Sequence, residues 1–502
     1  MSLNWDWSAE VEYLNEKLPP DNLDRAKYAK FLYEVAARRG ETSNLVININ
    51  AEWGAGKTHF TRRLAQTIKD KHPTVYVDAW KQDFSDEPLL AIFSSISDQL
   101  GDQSDKFITL LKKTEKKVGV LLRGIAPAVI QGIVKKTTGI DDLSEIAKSA
   151  TENLIDTHKE KSAVIEDIRK DLAEWVRFIK QKDAMNKDLP IFIFIDELDR
   201  CRPNYAINLL EIVKHIFNVK GLVFFISTDT DQLQHSIKVI YGQDFDAQQY
   251  LGRFFDRRYI LTVPKTKGLL ASRAVGELKV NYQKTTKNIT PQPINFHYFI
   301  IICSDILDAF RVNLRNSIKY FDRVSDIILV EDKKFDPFLL MILMYFFDKE
   351  NTLYKKIKYT ETFDTKIIKD ALTRDELKSS LYSEINIKSD LSREKTDVSM
   401  IHFFDDHDFL RKAPNPFSNE EVCVNVIDYI TSSIEIVKME KATSFVNNMG
   451  NSVELTWGDG GVSRDMNIDS LLKMSWNINK TRSIELKFHE YFDLVELSTT
   501  FD

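Results

Sequence analysis

Leu45–Leu64, LVININAEWGAGKTHFTRRL, reads as a strand, a loop that carries glycines and then a helix, and this stretch decides the fold. Within it, Ala51–Thr58 (AEWGAGKT) fits the pattern of a phosphate-binding loop at every position except the first, where alanine replaces glycine. Glycines let successive backbone N–H groups curl around a phosphate, and the helix that follows directs its positive end at the same anion. The lysine adds a full charge, and the threonine adds a hydroxyl for Mg²⁺. The residues expected to bind a nucleotide are Trp53, Gly54, Ala55, Gly56, Lys57, Thr58 and His59.

Composition narrows the class of protein. The 502 residues allow two or three domains and a large apolar core. A net charge of -6 argues against a global basic field for nucleic-acid binding and leaves a local basic patch open. The three cysteines are too scattered for a metal site and too few for a disulfide framework, which indicates a reducing, cytoplasmic compartment. The first residues lack a basic region followed by an apolar run, so we expect no signal peptide.

Two apolar segments raise the question of a membrane. Val118–Val134 is flanked by lysines, but it falls short of the roughly 20 apolar residues that span a bilayer. It also contains Arg123, Pro127 and Gln131, so a buried or partner-facing hairpin is favoured over a membrane span. The second segment, Phe338–Phe347 (FLLMILMYFF), is shorter still and predicts a buried helix.

Strands and helices alternate along the first half of the chain. This order predicts an α/β fold in which a parallel sheet is flanked by helices, with a ligand at the carboxyl ends of the strands. The expected strands are Leu45–Asn50, Thr74–Ala79, Pro190–Asp196, Leu222–Ser227 and Arg258–Val263, and the expected helices are Asp21–Arg39, Pro88–Leu100 and Asn204–Phe217.

Shifts in composition suggest three parts. Residues 1–265 form the expected nucleotide-binding core, and the charged, helical stretch at about 102–187 reads as an insertion between the two nucleotide motifs. Residues 266–348 read as a helical lid or linker. Residues 349–502 carry mixed helix and strand signals, and no motif there indicates a role.

A second motif ends the strand predicted at residues 190–196. In Ile191–Arg200, IFIFIDELDR, an unbroken apolar run ends in carboxylates. Asp196 would hold Mg²⁺ through water, and Glu197 could polarise the attacking water. The alternative is that these acids cap the next helix. Their combination with the loop at Ala51–Thr58 favours nucleotide binding.

These motifs together resemble the KAP family of P-loop NTPases, within the ATPase branch that includes the AAA-type folds. The similarity covers about Asp21–Phe321. It rests on Asp21–Arg25 (DNLDR), the loop with its unusual Trp53, Asp78–Trp80 (DAW), Asp196–Pro203 (DELDRCRP) and Tyr250–Arg253 (YLGR).

The resemblance implies ATP hydrolysis with Mg²⁺, frequent oligomerisation, and often a membrane-spanning insertion where Val118–Val134 lies here. It also implies a role in bacterial defence against phages, with a protein partner from the same system, and it leaves ATP or GTP preference open. Two departures are Ala51 in place of the first glycine, and Glu197 where many members have aspartate. The longer carboxylate reaches further towards a γ-phosphate, which favours hydrolysis.

Three further residues are expected from related ATPases. Thr228, within Ser227–Asp229, stands where a polar residue senses the γ-phosphate, and an ordinary strand-end turn is the alternative. Arg253 resembles a finger arginine that acts in a neighbouring subunit, and a surface ion pair is the alternative. Arg315 resembles a lid arginine that touches the nucleotide from the C-terminal side.

One histidine- and aspartate-rich cluster invites a metal interpretation. It consists of His402, Asp405, Asp406, His407 and Asp408. Because no cysteine or glutamate motif accompanies it, an exposed polar turn is favoured.

The leading hypothesis is a Mg²⁺-dependent ATPase that couples nucleotide state to assembly with itself or with a partner protein. Lys57, Glu197 and Arg253 are the expected catalytic residues, and Thr58 and Asp196 the metal ligands. The alternatives are a nucleotide-gated scaffold with little turnover, and a membrane-associated NTPase.

Overall fold

The computed structural model describes two compact units, Met1–Thr262 and Val263–Asp502. Each unit has its own hydrophobic core. The residues that the structure describes are 3–101, 105–123, 154–181, 187–262, 265–273, 277–359, 365–372, 384–388, 421–438 and 484–498.

The first unit is built from alternating strands and helices. Its strands are β1 (Val11–Tyr13), β2 (Glu16–Leu18), β3 (Leu45–Asn50), β4 (Thr74–Asp78), β5 (Ile191–Asp196), β6 (Leu222–Thr228) and β7 (Arg257–Ile260). Its helices are α1 (Ala26–Gly40), α2 (Lys57–Ile68), α3 (Ala79–Gln82), α4 (Pro88–Leu100), α5 (Asp105–Arg123), α6 (Leu154–Lys180), α7 (Pro203–His215), α8 (Thr230–Tyr241) and α9 (Ala247–Leu251).

Within the described residues, β3 to β7 form one five-stranded parallel sheet in the order β4-β5-β6-β3-β7. The register aligns the carboxyl ends of neighbouring strands, since Asn50 of β3 pairs with Thr228 of β6 and Asp78 of β4 pairs with Asp196 of β5. This is the parallel sheet flanked by helices that the sequence predicted. Every polar residue expected to meet a phosphate at a strand end therefore lies along one edge.

The sheet is covered on both faces, which explains its unbroken apolar strands. Along β5, Ile191, Ile193 and Ile195 pack into one core together with α4 and α7. Phe192 and Phe194 of the same strand pack into the opposite core together with α1 and α2. The alternation of side chains along a strand sends neighbouring residues to opposite faces.

The predicted helical insertion is present as α5 and α6. The two helices pack together through Phe107 and Trp175, whose ring centroids lie 5.8 Å apart, and through ion pairs from Lys113 and Lys117 to the buried Asp171. Of the candidate membrane segment, residues 118–123 belong to α5, and residues 124–134 lie outside the described part of the chain. No helix among the described residues combines the length and the apolarity that crossing a membrane requires.

Several predicted boundaries differ from the observed ones. The first helix begins at Ala26 rather than Asp21, because the Asp21 carboxylate accepts a hydrogen bond from Arg25 N at 2.6 Å ahead of the helix. The second sheet strand ends at Asp78, whose side chain caps α3 by accepting from Lys81 N. The last sheet strand spans Arg257–Ile260, starting and ending earlier than predicted.

The second unit is mainly helical. Its helices are α10 (Lys267–Arg273), α11 (Glu277–Val280), α12 (Tyr282–Thr285), α13 (Phe296–Ala309), α14 (Leu314–Val330), α15 (Pro337–Lys349), α16 (Asn351–Tyr359), α17 (Thr365–Leu372), α18 (Val426–Lys438) and α19 (Phe488–Leu497). An antiparallel pair, β8 (Glu384–Lys388) and β9 (Glu421–Asn425), accompanies them.

The apolar run at the centre of the second unit is a buried helix, as predicted. All ten residues from Pro337 to Phe346 are buried, and the Asp336 carboxylate caps α15 by accepting from Phe338 N and Leu339 N. The surrounding core draws on helices from both sides of residue 348. The predicted division of the chain into three parts, with boundaries near residues 265 and 348, stays a prediction.

Candidate nucleotide site

The loop between β3 and α2 has the backbone of an anion cradle. Gly54 and Gly56 adopt positive φ angles of 83° and 80°, which glycine reaches without steric cost, and Gly56 directly precedes α2. Ala51 is not among the residues with positive φ, so alanine in place of the first glycine imposes no strain. The departure from the phosphate-loop pattern therefore falls where a Cβ is tolerated.

Lys57 lies at the first position of α2 with its ammonium held over the loop. Its Nζ donates to the backbone oxygens of Ala51 at 2.6 Å and Glu52 at 3.2 Å. The residue is only 8% exposed, so this cation is already largely withdrawn from water. Its charge is available to a phosphate that enters the loop.

Arg25 supports the loop from the segment ahead of α1. Its Nη1 donates to the carbonyl oxygens of Ala55 and Gly56 at 3.4 and 3.3 Å, and its Nε donates to Asp21 at 2.9 Å. The side chains of Arg25 and Asp21 are 4% and 1% exposed, so this is a buried ion pair. It ties the DNLDR motif directly to the phosphate loop.

The His59 side chain contacts Arg25, the residue that supports the phosphate loop. Its Nδ1 lies 3.0 Å from Arg25 Nη2, and its Nε2 lies 2.9 Å from the carbonyl oxygen of Pro19. Burial lowers the pKa of His59, which favours a neutral ring that accepts from Arg25 and donates to Pro19. The side chain thus holds the loop's support in place, and only its backbone N–H remains for the nucleotide.

Asp196 ends β5 as a fully buried carboxylate. Tyr76 of β4 donates its hydroxyl to Asp196 Oδ2 at 2.7 Å, and Arg62 of α2 donates to the Tyr76 oxygen at 3.0 Å. Burial raises the pKa of Asp196 to about 6, although the hydrogen bond from Tyr76 lowers it. A carboxylate placed in this way is stabilised by a nearby cation.

Glu197 connects the acidic motif to the phosphate loop. The Thr58 hydroxyl donates to Glu197 Oε1 at 2.9 Å, and Arg200 Nε lies 2.6 Å from Glu197 Oε2. Glu197 has a φ of 60° and makes no capping hydrogen bond to the short 3₁₀ turn Leu198–Arg200. The alternative that this acid caps the next helix is therefore not what the geometry shows.

Asp199 also faces the loop. Its Oδ2 accepts a hydrogen bond from Trp53 Nε1 and lies 4.0 Å from Lys57 Nζ. Its side chain is 1% exposed, and Oδ1 is a buried atom without a hydrogen-bond partner in the part of the chain that the structure describes.

Ser227, Thr228 and Asp229, which the sequence analysis considered as one group at the end of β6, make different contacts in the structure. Asp229 caps α8 by accepting from Asp231 N and Gln232 N, and the Ser227 hydroxyl lies 2.6 Å from the hydroxyl of Thr61. Thr228 is fully buried, and its Oγ1 has no hydrogen-bond partner among the described residues. Thr228 is therefore the residue of the three whose hydroxyl remains available to a ligand. Its backbone is the register partner of Asn50, the last residue of β3 before the phosphate loop.

The two predicted arginines belong to other elements of the chain. Arg253 is exposed between α9 and β7, and it makes no ion pair within the described ranges. Because β7 runs parallel to β3, the residue sits at the amino edge of the sheet, opposite the phosphate loop. Arg315 lies in the first turn of α14, in the second unit. Their roles stay predictions.

The donor set fits Mg²⁺ bound together with a nucleotide. Magnesium takes one or two carboxylates plus hydroxyl and phosphate oxygens, and Thr58, Asp196 and Glu197 provide such oxygens. No three His, Cys, Asp or Glu side chains in the described ranges converge as a metal site of their own. The cluster at His402–Asp408 lies outside those ranges.

The sequence did not single out several residues that complete the site. Arg25, Asp199 and Arg200 lay inside quoted motifs without an assigned contact, and Tyr76 lay in a predicted strand. A signal for Tyr76 did exist, because a tyrosine in a buried strand needs a hydrogen-bond partner. The identity of that partner requires the pairing of β4 with β5.

A comparison with curated proteins finds no match. Among solved structures, the Aeropyrum pernix ORC2 protein in ADPNP-ADP complexes is 12% identical, with 69% of this chain and 70% of that chain covered and a TM-score of 0.29. The structure of C. elegans PCH-2 is 11% identical, with 74% of this chain and 73% of that chain covered and a TM-score of 0.25. At such TM-scores neither structure adds to the assignment.

The family comparison is decisive. The model of the KAP family P-loop domain matches residues 25–321, more than half of the chain. The match begins at Arg25, which holds the phosphate loop, and includes both the loop and the acidic motif. The chain therefore belongs to the KAP family of P-loop NTPases.

Proposed function

We propose that this chain is a Mg²⁺-dependent ATPase that couples ATP binding and hydrolysis to assembly with itself or to regulation of a partner protein. The observation that carries the proposal is the hydrogen bond from Thr58 to Glu197 at 2.9 Å. It brings the hydroxyl of the phosphate loop and the carboxylate of the acidic motif together from positions 139 residues apart.

Each residue of the site has a distinct role in this proposal. Lys57 and the N–H groups at the start of α2 bind the phosphates, while Thr58 and Asp196 hold Mg²⁺, which neutralises charge as the phosphoryl group transfers. Glu197 orients a water molecule and accepts its proton. Thr228 offers its free hydroxyl to the terminal phosphate.

Two substitutions test binding and hydrolysis separately. We expect Lys57→Ala to abolish nucleotide binding, measured by calorimetric titration, because the loop loses its only lysine. We expect Glu197→Gln to keep binding and lower steady phosphate release by about 10²-fold or more, because general-base catalysis is lost. Lys69→Ala, at the end of α2, serves as the control. Unchanged phosphate release by Glu197→Gln contradicts the role of Glu197.

A nucleotide-gated scaffold with little turnover is the second candidate. The ion pair between Arg200 and Glu197 favours it, because Arg200 Nε lies 2.6 Å from Glu197 Oε2 and occupies an oxygen that a catalytic carboxylate would direct at water. Mass measurement of the purified chain with and without ATP, together with identification of co-purifying proteins, separates the two. A change in mass without phosphate release under any partner condition supports the scaffold.

The cellular setting belongs to the proposal as well. Family membership supports a role in bacterial defence against phages, with a protein partner from the same system. A phage plaque assay on cells that express the wild type or Lys57→Ala tests this, since only the wild type is expected to protect. Fractionation without detergent tests the membrane-associated alternative. Competition between ATP and GTP determines the preferred base.

A further inference from the structure

Asp199 places a buried negative charge against the groups that are proposed to bind phosphate. Its Oδ2 accepts a hydrogen bond from Trp53 Nε1 and lies 4.0 Å from the Lys57 ammonium. Its Oδ1 is buried without a hydrogen-bond partner in the described part of the chain. None of the roles assigned above to the acidic motif uses this carboxylate.

Stability does not explain this arrangement. A buried carboxylate oxygen that lacks a donor costs free energy, and an apolar side chain of similar size would avoid that cost. The nearest cation, Lys57, already donates to two carbonyl oxygens of the loop. The negative charge of Asp199 is therefore only partly neutralised. It repels any anion that approaches the Lys57 ammonium.

An entering nucleotide competes with Asp199 for Lys57. The lysine of such a loop reaches the β- and γ-phosphates, so the terminal phosphate is the group that comes closest to the shared ammonium. A triphosphate brings one more charged phosphate to this place than a diphosphate does. Like charges that share one cation in a water-poor site repel each other.

We propose that Asp199 sets the nucleotide preference of the loop, by weakening triphosphate binding relative to diphosphate binding. This proposal rests on the proposed function, because it needs a nucleotide in the loop. Asp199 is a specificity-determining residue in this scheme. Trp53 weakens this effect of Asp199, because the hydrogen bond from the indole N–H stabilises the carboxylate and reduces its electrostatic influence at Lys57.

The decisive variant is Asp199→Asn. The amide keeps the shape and an oxygen that accepts from Trp53, and it removes the charge. Wild type and variant are titrated calorimetrically with ADP and with a non-hydrolysable ATP analogue, in Mg²⁺ and in a chelator. We expect the affinity for the analogue relative to ADP to rise about tenfold in the variant, in both solutions.

Matched variants isolate the charge at this position. Asp199→Glu retains the negative charge and is expected to keep the wild-type ratio. Asp231→Asn removes an exposed carboxylate in the first turn of α8, on the same edge of the sheet, and is expected to leave the ratio unchanged. Trp53→Phe removes the donor to Asp199 and is expected to shift the ratio towards ADP.

The outcomes are distinguishable. Equal changes in both affinities on Asp199→Asn, or the same rise in Asp231→Asn, overturn the proposal and leave the proposed function intact. Absence of nucleotide binding by the wild type overturns the proposed function itself. If Asp199→Asn does not fold, as judged by its thermal unfolding, Trp53→Phe decides, because a ratio that stays at the wild-type value contradicts the role of Asp199.

Discussion

Arg25 is the residue that makes the DNLDR motif part of the nucleotide site. Its guanidinium donates to Ala55 and Gly56, the two residues that directly precede α2. These backbone oxygens belong to the same loop whose N–H groups are proposed to bind phosphate. A buried, planar guanidinium with several fixed donors holds such a loop in one conformation before the nucleotide arrives. Arg25 is thus a positioning residue that acts through the loop backbone.

Replacing Arg25 should weaken both the fold and nucleotide binding. We expect Arg25→Met to lower the free energy of unfolding by about 3 kcal/mol, because Asp21 becomes a buried charge without its partner. Nucleotide affinity should fall as well, because the loop carbonyl groups lose their donor. Denaturant unfolding and calorimetric titration measure the two effects.

The control for this substitution is Lys27→Met. Lys27 pairs with Asp24 on the surface, where the two side chains are 57% and 78% exposed, so the free energy of unfolding should stay close to the wild-type value. Arg25→Lys keeps the charge without the guanidinium fork and should recover stability more than affinity. Wild-type affinity in Arg25→Met contradicts the positioning role.

At the scale of elements, the contact between α1 and the sheet depends on a glycine. A Cβ at Gly40, the last residue of α1, would lie 2.3 Å from Val223 Cγ2 and 2.9 Å from Pro190 Cγ. Val223 belongs to β6, and Pro190 immediately precedes β5. The absence of a side chain therefore allows the end of α1 to lie directly on the strands that carry the site.

Two glycine-to-alanine substitutions should act in opposite directions. We expect Gly40→Ala to lower the free energy of unfolding by about 1–3 kcal/mol, because the added methyl group overpacks the contact with β6. Gly119→Ala is the matched control. Gly119 lies within α5, where a Cβ meets nothing within 4 Å among the described residues, so we expect a gain of about 0.5–1 kcal/mol from helix propensity. Urea unfolding measures both, and equal effects would show that the close packing of α1 is not limiting.

At the scale of the whole molecule, the sheet separates Arg253 from the phosphate loop. The loop follows the carboxyl end of β3, whereas Arg253 precedes the amino end of β7, which pairs in parallel with β3. Asp256 anchors this amino end, since its N–H donates to the Val46 oxygen and its carboxylate accepts from Val46 N. The prediction that Arg253 is a finger arginine therefore requires that it act on the site of another copy of the chain.

Mixing variants tests this arrangement. We expect Arg253→Ala to lower phosphate release on the order of 10³-fold, as for loss of a finger arginine. Lys57→Ala should be inactive for a different reason. When the two are mixed at equal concentration, an intact loop meets an intact arginine at about one interface in four, so activity should partly return.

Arg258→Ala is the control for the mixing experiment. Arg258 is an exposed arginine on β7, two residues past the anchored Asp256, and it makes no ion pair within the described ranges. Its substitution should leave phosphate release near the wild-type value. A mixture that stays inactive would mean that Arg253 does not act across an interface.

The sequence by itself determined the parallel α/β sheet, the phosphate loop, the acidic motif and the family. These features are local, because strand periodicity, glycine positions and the placement of carboxylates after an apolar run depend on neighbouring residues. The exact start of α1 and the end of β4 were less accessible, because single hydrogen bonds that Asp21 and Asp78 accept from backbone N–H groups decide where α1 and α3 begin.

Only the tertiary structure decided which side chains meet. The partners of Asp196, Glu197 and Asp199 are Tyr76, Thr58 and Trp53, which come from distant parts of the chain. The structure also showed that His59 supports Arg25, and that Thr228 alone keeps a free hydroxyl among the strand-end residues considered. Such contacts follow from strand order and register, which bring residues more than 100 positions apart within hydrogen-bonding distance and which no local pattern encodes.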